Sequence, residues 1–177
     1  NKHKIEKFIH LSALGIENAT DSKYAKSKLE GEKKINSNFK NSIIIKPSIV
    51  YSVDDNFTTN FMTLLSRLPF MPLYYNGMTK FSPIHVSDLV EIIFKIIEQK
   101  NQGLTLECLG PEELTFKEII QKILLSINKK RLLLPLPLPL ASLSAKFFQL
   151  FPKPLLTEDQ LRLLKYDNVR SGLYKTN

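Results

Sequence analysis

The stretch Ser42 to Tyr51, SIIIKPSIVY, constrains the fold of this chain more than any other. Its consecutive isoleucines are β-branched, stiff at χ1 and suited to the pleated surface of a strand. Pro47 cannot donate to a ladder, so this central strand is expected to end near Lys46, where the chain turns outward. In a parallel sheet, such strand ends are where ligands bind.

Short β-type runs alternate with helical ones on either side, the pattern of an α/β layer architecture rather than a bundle or sandwich. Phe8 to Ser12 reads as a first strand. Asp21 or Ser22 can cap a helix running through Tyr24, Lys28 and Glu32 to about Asn36, because short oxygen side chains satisfy the free amides of a first turn. Phe57 to Leu68 reads as a helix closed by Pro69 and Pro72, followed by a loop holding Asn76-Gly77. A further helix is expected from Ser87 or Asp88 to about Gln99, and a strand at Leu104 to Leu109. Thr115 with Glu118, and Thr157 with Gln160, form the reciprocal cap pattern that opens helices. Leu134 to Leu140 alternates Leu and Pro and is expected to be extended.

Composition removes several classes of function. With 43% hydrophobic and 24% charged residues over 177 positions, the chain can bury a core and is not disordered. The net charge of +8 comes mostly from scattered Lys, without the interleaved aromatics or reading helix of a nucleic-acid binder. Cys108 is the only cysteine, which excludes an internal disulfide and reads as a small buried hydrophobe. His3, His10 and His85 are too scattered for a zinc or iron site, so no metal is expected. The uncharged run Leu132 to Ala145 carries three prolines and falls short of a membrane span. It reads equally as a surface contact or as core.

Tyr24 and Lys28 lie four apart on the first helix, which puts both side chains on one face. A phenol is a poor base near its ordinary pKa of about 10, and a nearby ammonium favours phenolate. Ser12, at the end of the preceding strand, could hydrogen-bond a substrate carbonyl or hydroxyl beside that phenol. Tyr-x-x-x-Lys alone is a weak signal in a chain so rich in Lys. Its context, strand, helix and second strand in that order, is the stronger evidence.

In HLSALG, SKYAKSKLEGE, IIIKPSIVY and SPIHVSDL, the chain resembles the extended short-chain dehydrogenase/reductase family over nearly its whole length. The resemblance implies the C-terminal part of a Rossmann-like doubly wound parallel sheet, with a small C-terminal subdomain for substrate or partner and the first βαβ units missing. It divides the chain into 1–110, with an insertion at about 52–82, and an α-rich 111–177. It makes Tyr24 the general acid/base, Lys28 the residue that holds the nicotinamide ribose and lowers the Tyr24 pKa, and Ser12 the substrate-orienting hydroxyl. Pro47, Ser48 and Val50 would pack against the nicotinamide of NADP or NAD, although Ser52 stands where the family usually has Gly. His85 is architectural on this view. The six glycines form no GxGxxG arrangement, and the family carries that phosphate loop upstream of Asn1, so truncation of a longer chain is expected.

RLLLPLPLPLASLSAKFFQLFPKPLLTEDQLRLLKYDNV narrows the resemblance to the subgroup of the NAD(P)H-binding accessory subunit of respiratory complex I. Partner or lipid contact is the role expected of that segment. The first function implied is an accessory or assembly protein of NADH:ubiquinone oxidoreductase, cytoplasmic in a bacterium or on the mitochondrial matrix side, peripheral to the inner membrane and touching it through Leu132 to Leu150. Two alternatives stand beside it: an active NAD(P)-dependent reductase or nucleotide-sugar epimerase, and a non-enzymatic membrane- or quinone-associated module.

Overall fold

All five residues of β2 (Ile43–Pro47) are buried, and the strand pairs on both sides. β1 (Ile9–Leu11) runs parallel on one flank, with Ile9 opposite Ile43 and Leu11 opposite Ile45. β7 (Leu104–Cys108) runs parallel on the other, and β10 (Lys175–Thr176) extends the sheet beyond it, giving the order β1-β2-β7-β10. The structure, a computed structural model, describes residues 5–99, 102–137, 139–140 and 157–177.

Alternation along β2 sorts its two faces. Ile43 and Ile45 pack with Leu89 and Ile96 of α3 (Val86–Glu98). Lys46, one residue out of phase, meets Glu32 of α1 (Lys23–Asn38). Helices therefore cover both faces of a parallel sheet, the doubly wound arrangement that the family resemblance implies.

After β2 the chain leaves the sheet as Pro47 requires. Ser48 N still bonds Cys108 O at 3.0 Å. Then β3 (Val50–Tyr51) pairs with β6 (Ile84–His85) in a separate two-stranded piece. The run Ser42 to Tyr51 is thus two strands, divided just after the proline that was expected to break it.

A second core lies outside the sheet. α2 (Asn56–Arg67) and α4 (Phe116–Ser126) bury Leu65, Phe116, Ile120 and Leu124 against Met71 and Leu73 of β4 (Phe70–Leu73). β4 pairs in parallel with β9 (Leu132–Pro135), and β5 (Lys80–Phe81) pairs antiparallel with β8 (Leu114–Thr115). Pro72 and Pro135 sit inside β4 and β9, which a two-stranded ladder with open outer edges tolerates. The chain between β4 and β5 passes through a left-handed turn at Tyr75, Asn76 and Gly77.

Helix starts follow their caps. Ser22 opens α1, accepting from Ala25 N at 3.2 Å, and Asp55 opens α2, accepting from Thr58 N at 2.6 Å. Both expected capping boxes are present, Thr115 with Glu118 on α4 and Thr157 with Gln160 on α5 (Glu158–Leu163). His85 opens α3 by accepting from Ser87 N through Nδ1 at 3.3 Å, the architectural role expected of it. Cys108 is fully buried and its thiol is pushed up to about 12 by desolvation, so it is an inert packing residue.

Leu132 to Pro135 is extended, as expected of the start of the Leu-Pro run, and turns Leu133 onto the second core. The rest of the expected contact surface, at 138 and 141–150, lies outside the described residues. Among the described residues, no helix is long and apolar enough to cross a membrane, and no group of His, Cys, Asp or Glu is placed to hold a metal ion.

Candidate functional site

A cleft of about 460 Å³ opens at the carboxyl ends of β1 and β2. Ala13 and Leu14 enter it from the end of β1, Pro47 and Ser48 from the end of β2, and Tyr24 from the first turn of α1. The volume falls in the ordinary range of small-molecule sites, about 300 to 1,000 Å³. The placement is the one expected for ligands in open α/β sheets.

Tyr24 is 44% exposed and lines the cleft. Lys28 Nζ sits over its ring, 5.8 Å from the centroid, and donates to Leu11 O at 3.1 Å. Burial pushes the Tyr24 phenol above its ordinary value, opposite to the depression expected from Lys28. The ammonium lies over the ring face, where it makes a cation–π contact. Val50 is half-buried in β3, packs on the sheet core and is not among the residues lining the cleft.

Ser12 is placed differently from the sequence expectation. It is buried, and its hydroxyl donates to Glu32 Oε1 on the α1 side of the sheet. The next residue, Ala13, lines the cleft. The side chain offered to the cleft just past the end of β1 is the methyl group of Ala13.

Behind Ser12 lies a buried ion cluster that sequence reasoning missed. Lys46, fully buried, holds Glu17 at 2.5 Å and Glu32 at 2.8 Å. Desolvation opposes its charge, yet hydrogen bonds to Glu17 and Glu32 win and hold its pKa above the ordinary value. The tail of the chain covers the same face: the Tyr174 ring lies 5.1 Å from Lys46 Nζ, and Ser171 binds Glu107, whose position in β7 is paired with Lys46. His10 borders this cluster, and burial first, then Lys28, pushes its pKa down.

The C-terminal signature also reaches the cleft. Asp159 accepts from Lys23 N at 2.8 Å, Tyr24 N at 2.9 Å and Ser22 Oγ at 3.0 Å, completing the cap of α1. Asn168 donates to Leu14 O at 2.6 Å and accepts from Ser48 Oγ at 2.6 Å, tying the two strand ends together. Gly15 lies beneath this clasp at φ 74°, where a Cβ would stand 2.8 Å from Asp167 O. The described part of the signature thus binds within the fold. Its repeated Asp and Asn were visible in the sequence, but their partners lie 87 to 154 residues away.

Residues 17–146 match the family described as the RmlD substrate binding domain. The chain belongs to this family. Among its curated relatives, NADH dehydrogenase (ubiquinone) 1 alpha subcomplex subunit 9, mitochondrial, of Dictyostelium discoideum is 31% identical over 68% of this chain and 34% of its own length. The Mus musculus protein of the same name is 30% identical over 93% of this chain and 44% of its own length. The chain therefore spans less than half of the curated relatives it matches. The crystal structure of UDP-glucuronic acid 4-epimerase from Bacillus cereus, in complex with UDP-glucuronic acid and NAD, superposes with a TM-score of 0.63 at 21% identity, covering 96% of this chain and 59% of that one. That likeness establishes a shared fold for this member of the RmlD substrate binding domain family. The expected relation to short-chain dehydrogenases and to complex I subunits is borne out by these matches.

Proposed function

We propose that this chain is the nicotinamide-end half of a dinucleotide-binding accessory or assembly subunit of NADH:ubiquinone oxidoreductase, one that binds NADP or NAD without turning it over. Tyr24 and Lys28 would hold the nicotinamide ribose, with Pro47 and Ser48 beside the ring. The half-exposed phenol in the cleft lining, with the Lys28 ammonium over its ring although Lys28 itself is not among the lining residues, supports that reading. A bound nicotinamide supplies hydride chemistry when a substrate is oriented beside it. We assign the phosphate grip to the part of the whole protein this chain does not cover, and treat 1–110 and 111–177 as its two structural units. The relatives' names carry the word mitochondrial, which supports a mitochondrial location, and the matrix side is our proposal.

One observation carries binding over turnover: Ala13 faces the cleft where an orienting hydroxyl would be needed, and Ser12 is committed to Glu32. Without a hydroxyl at the position that follows Ser12, and with a phenol that burial holds above its ordinary pKa, proton transfer at Tyr24 is disfavoured. We therefore read Ser12 as part of the scaffold. The alternative, an active reductase or epimerase, is the other outcome of the test. The full-length protein is titrated with NADPH and NADH while nicotinamide fluorescence is followed, then screened with aldehydes, ketones and sugar nucleotides. Binding without turnover, together with co-migration with respiratory complex I on native gels, supports the proposal. Turnover that is abolished by Tyr24→Phe establishes the enzyme reading instead.

A further inference from the structure

The chain carries 25 Lys and Arg, yet none of the described residues lining the cleft is Lys, Arg or His. The sole carboxylate among them, Asp167, already accepts from Lys80 N at 2.8 Å. Most of the lining is aromatic and aliphatic. Phe57 meets Phe61 edge-on at 5.0 Å between centroids, Phe61 meets Phe116 at 5.5 Å, and Leu64, Phe81 and Ile16 complete it.

A sugar nucleotide brings a pyrophosphate, and burying that charge without a cation or a bank of free donors is strongly unfavourable. An apolar molecule gains from the same lining what the phosphate would lose. Of the polar side chains in the lining, Ser48, Asp167 and Asn168 are already hydrogen-bonded within the fold, and Tyr24 contributes a half-exposed hydroxyl. Asn56 and Asn60 are exposed and occupy successive turns of α2, so they belong to the rim.

We infer that this cleft takes a neutral, largely apolar small molecule with one oxygen-bearing end directed at Tyr24, and rejects nucleotide-linked sugars. The inference rests on the reading of the same cleft as the nicotinamide end of a dinucleotide site, and it names the second ligand of that site.

The test uses the full-length protein and N-phenyl-1-naphthylamine, a neutral dye that brightens in apolar surroundings. Saturable brightening is expected, reversed by 1-decanol and unaffected by UDP-glucose at the same concentration. Ala13→Trp fills the cleft from β1 and is expected to weaken the dye at least ten-fold. Should that variant melt early, Asn60→Trp, at the exposed rim, is expected to weaken it in the same direction with an unchanged melting temperature. Displacement by UDP-glucose, or dye binding that neither variant alters, overturns the inference. Nicotinamide fluorescence in the same samples reports the dinucleotide separately: a protein that binds NADPH but not the dye loses only this inference, and one that binds neither loses the underlying reading as well.

Discussion

Asp159 accepts the backbone N–H of Tyr24 at 2.9 Å, across 135 residues of chain. The same carboxylate takes the N–H of Lys23 and the hydroxyl of Ser22, so the first turn of α1 is capped from outside its own segment. A helix N-terminus attracts negative charge, and a cap removed usually costs about 0.5 to 2 kcal/mol. Asp159→Ala is expected to lower stability by about 1 to 2 kcal/mol in urea unfolding. Asp159→Asn, which keeps an acceptor, should lose less. Equal stability of wild type and Asp159→Ala would show that α1 does not depend on this contact.

The same contact fixes a pH dependence. Burial raises the Asp159 pKa, but the hydrogen bonds from Tyr24, Lys23 and Ser22 outweigh it, and the group lies below its ordinary value of 3.8. A carboxylate depressed in the folded state contributes stability above its unfolded pKa and loses it as pH falls through the folded pKa. Unfolding free energy should therefore fall on acidification below about pH 4, and less steeply in Asp159→Asn. Asp55, also held low despite burial by bonds from Thr58 and Ser52, leaves a residual slope in that variant. Identical acid limbs in both proteins would contradict this assignment.

Lys46 makes the opposite case. Removing one member of a buried ion cluster strands the others, at a cost of about 3 to 5 kcal/mol. Lys46→Ala is expected to lose that much, because Glu32, 8% exposed, and Glu17 would face each other without a cation. Glu32→Gln should lose less, since Glu17 still pairs with the ammonium. The folded pKa of Lys46 lies above its ordinary value, so its contribution is present through neutral pH and disappears only at strongly alkaline pH. Denaturant curves at pH 7 and pH 10 that give the same loss on Lys46→Ala are the expected result.

Much of this was legible locally. SIIIKPSIVY announces a buried strand that stops at a proline, and the strand does end at Pro47. Ser22, Thr115 and Thr157 mark helix starts with side chains that act within three residues of themselves. Features that depend on partners far along the chain were not legible. Whether Ser12 or Ala13 faces the cleft depends on a one-residue phase relative to α1, and only the Glu32 contact reveals it. The expected depression of the Tyr24 pKa assumed that four-residue spacing brings charge to the oxygen, whereas it brings Lys28 over the ring face. β4 and β9 stayed hidden because their prolines disqualify them as central strands, and only pairing with each other makes them strands at all.

Asn168 joins Leu14 to Ser48 across the floor of the cleft, and its replacement separates stability from site geometry. Asn168→Ala removes the side-chain donor to the Leu14 carbonyl, a loss of about 1 to 3 kcal/mol, while Ser48 Oγ keeps the backbone carbonyl of residue 168 at 3.1 Å. Asn168→Asp should be worse at the Leu14 end, where a donor is replaced by an acceptor. Thermal melts of the three proteins check this order, and an Asp variant as stable as wild type would remove Asn168 from the clasp.

The central claim is that Tyr24 and Lys28 mark the place where a nicotinamide ribose is held. It is tested most directly by titrating the full-length protein with NADPH and NADH while recording nicotinamide fluorescence, with Lys28→Ala alongside. A saturable change that weakens at least ten-fold in Lys28→Ala is the expected result. Dinucleotide binding of equal strength in both proteins, or none in the wild type, would contradict it.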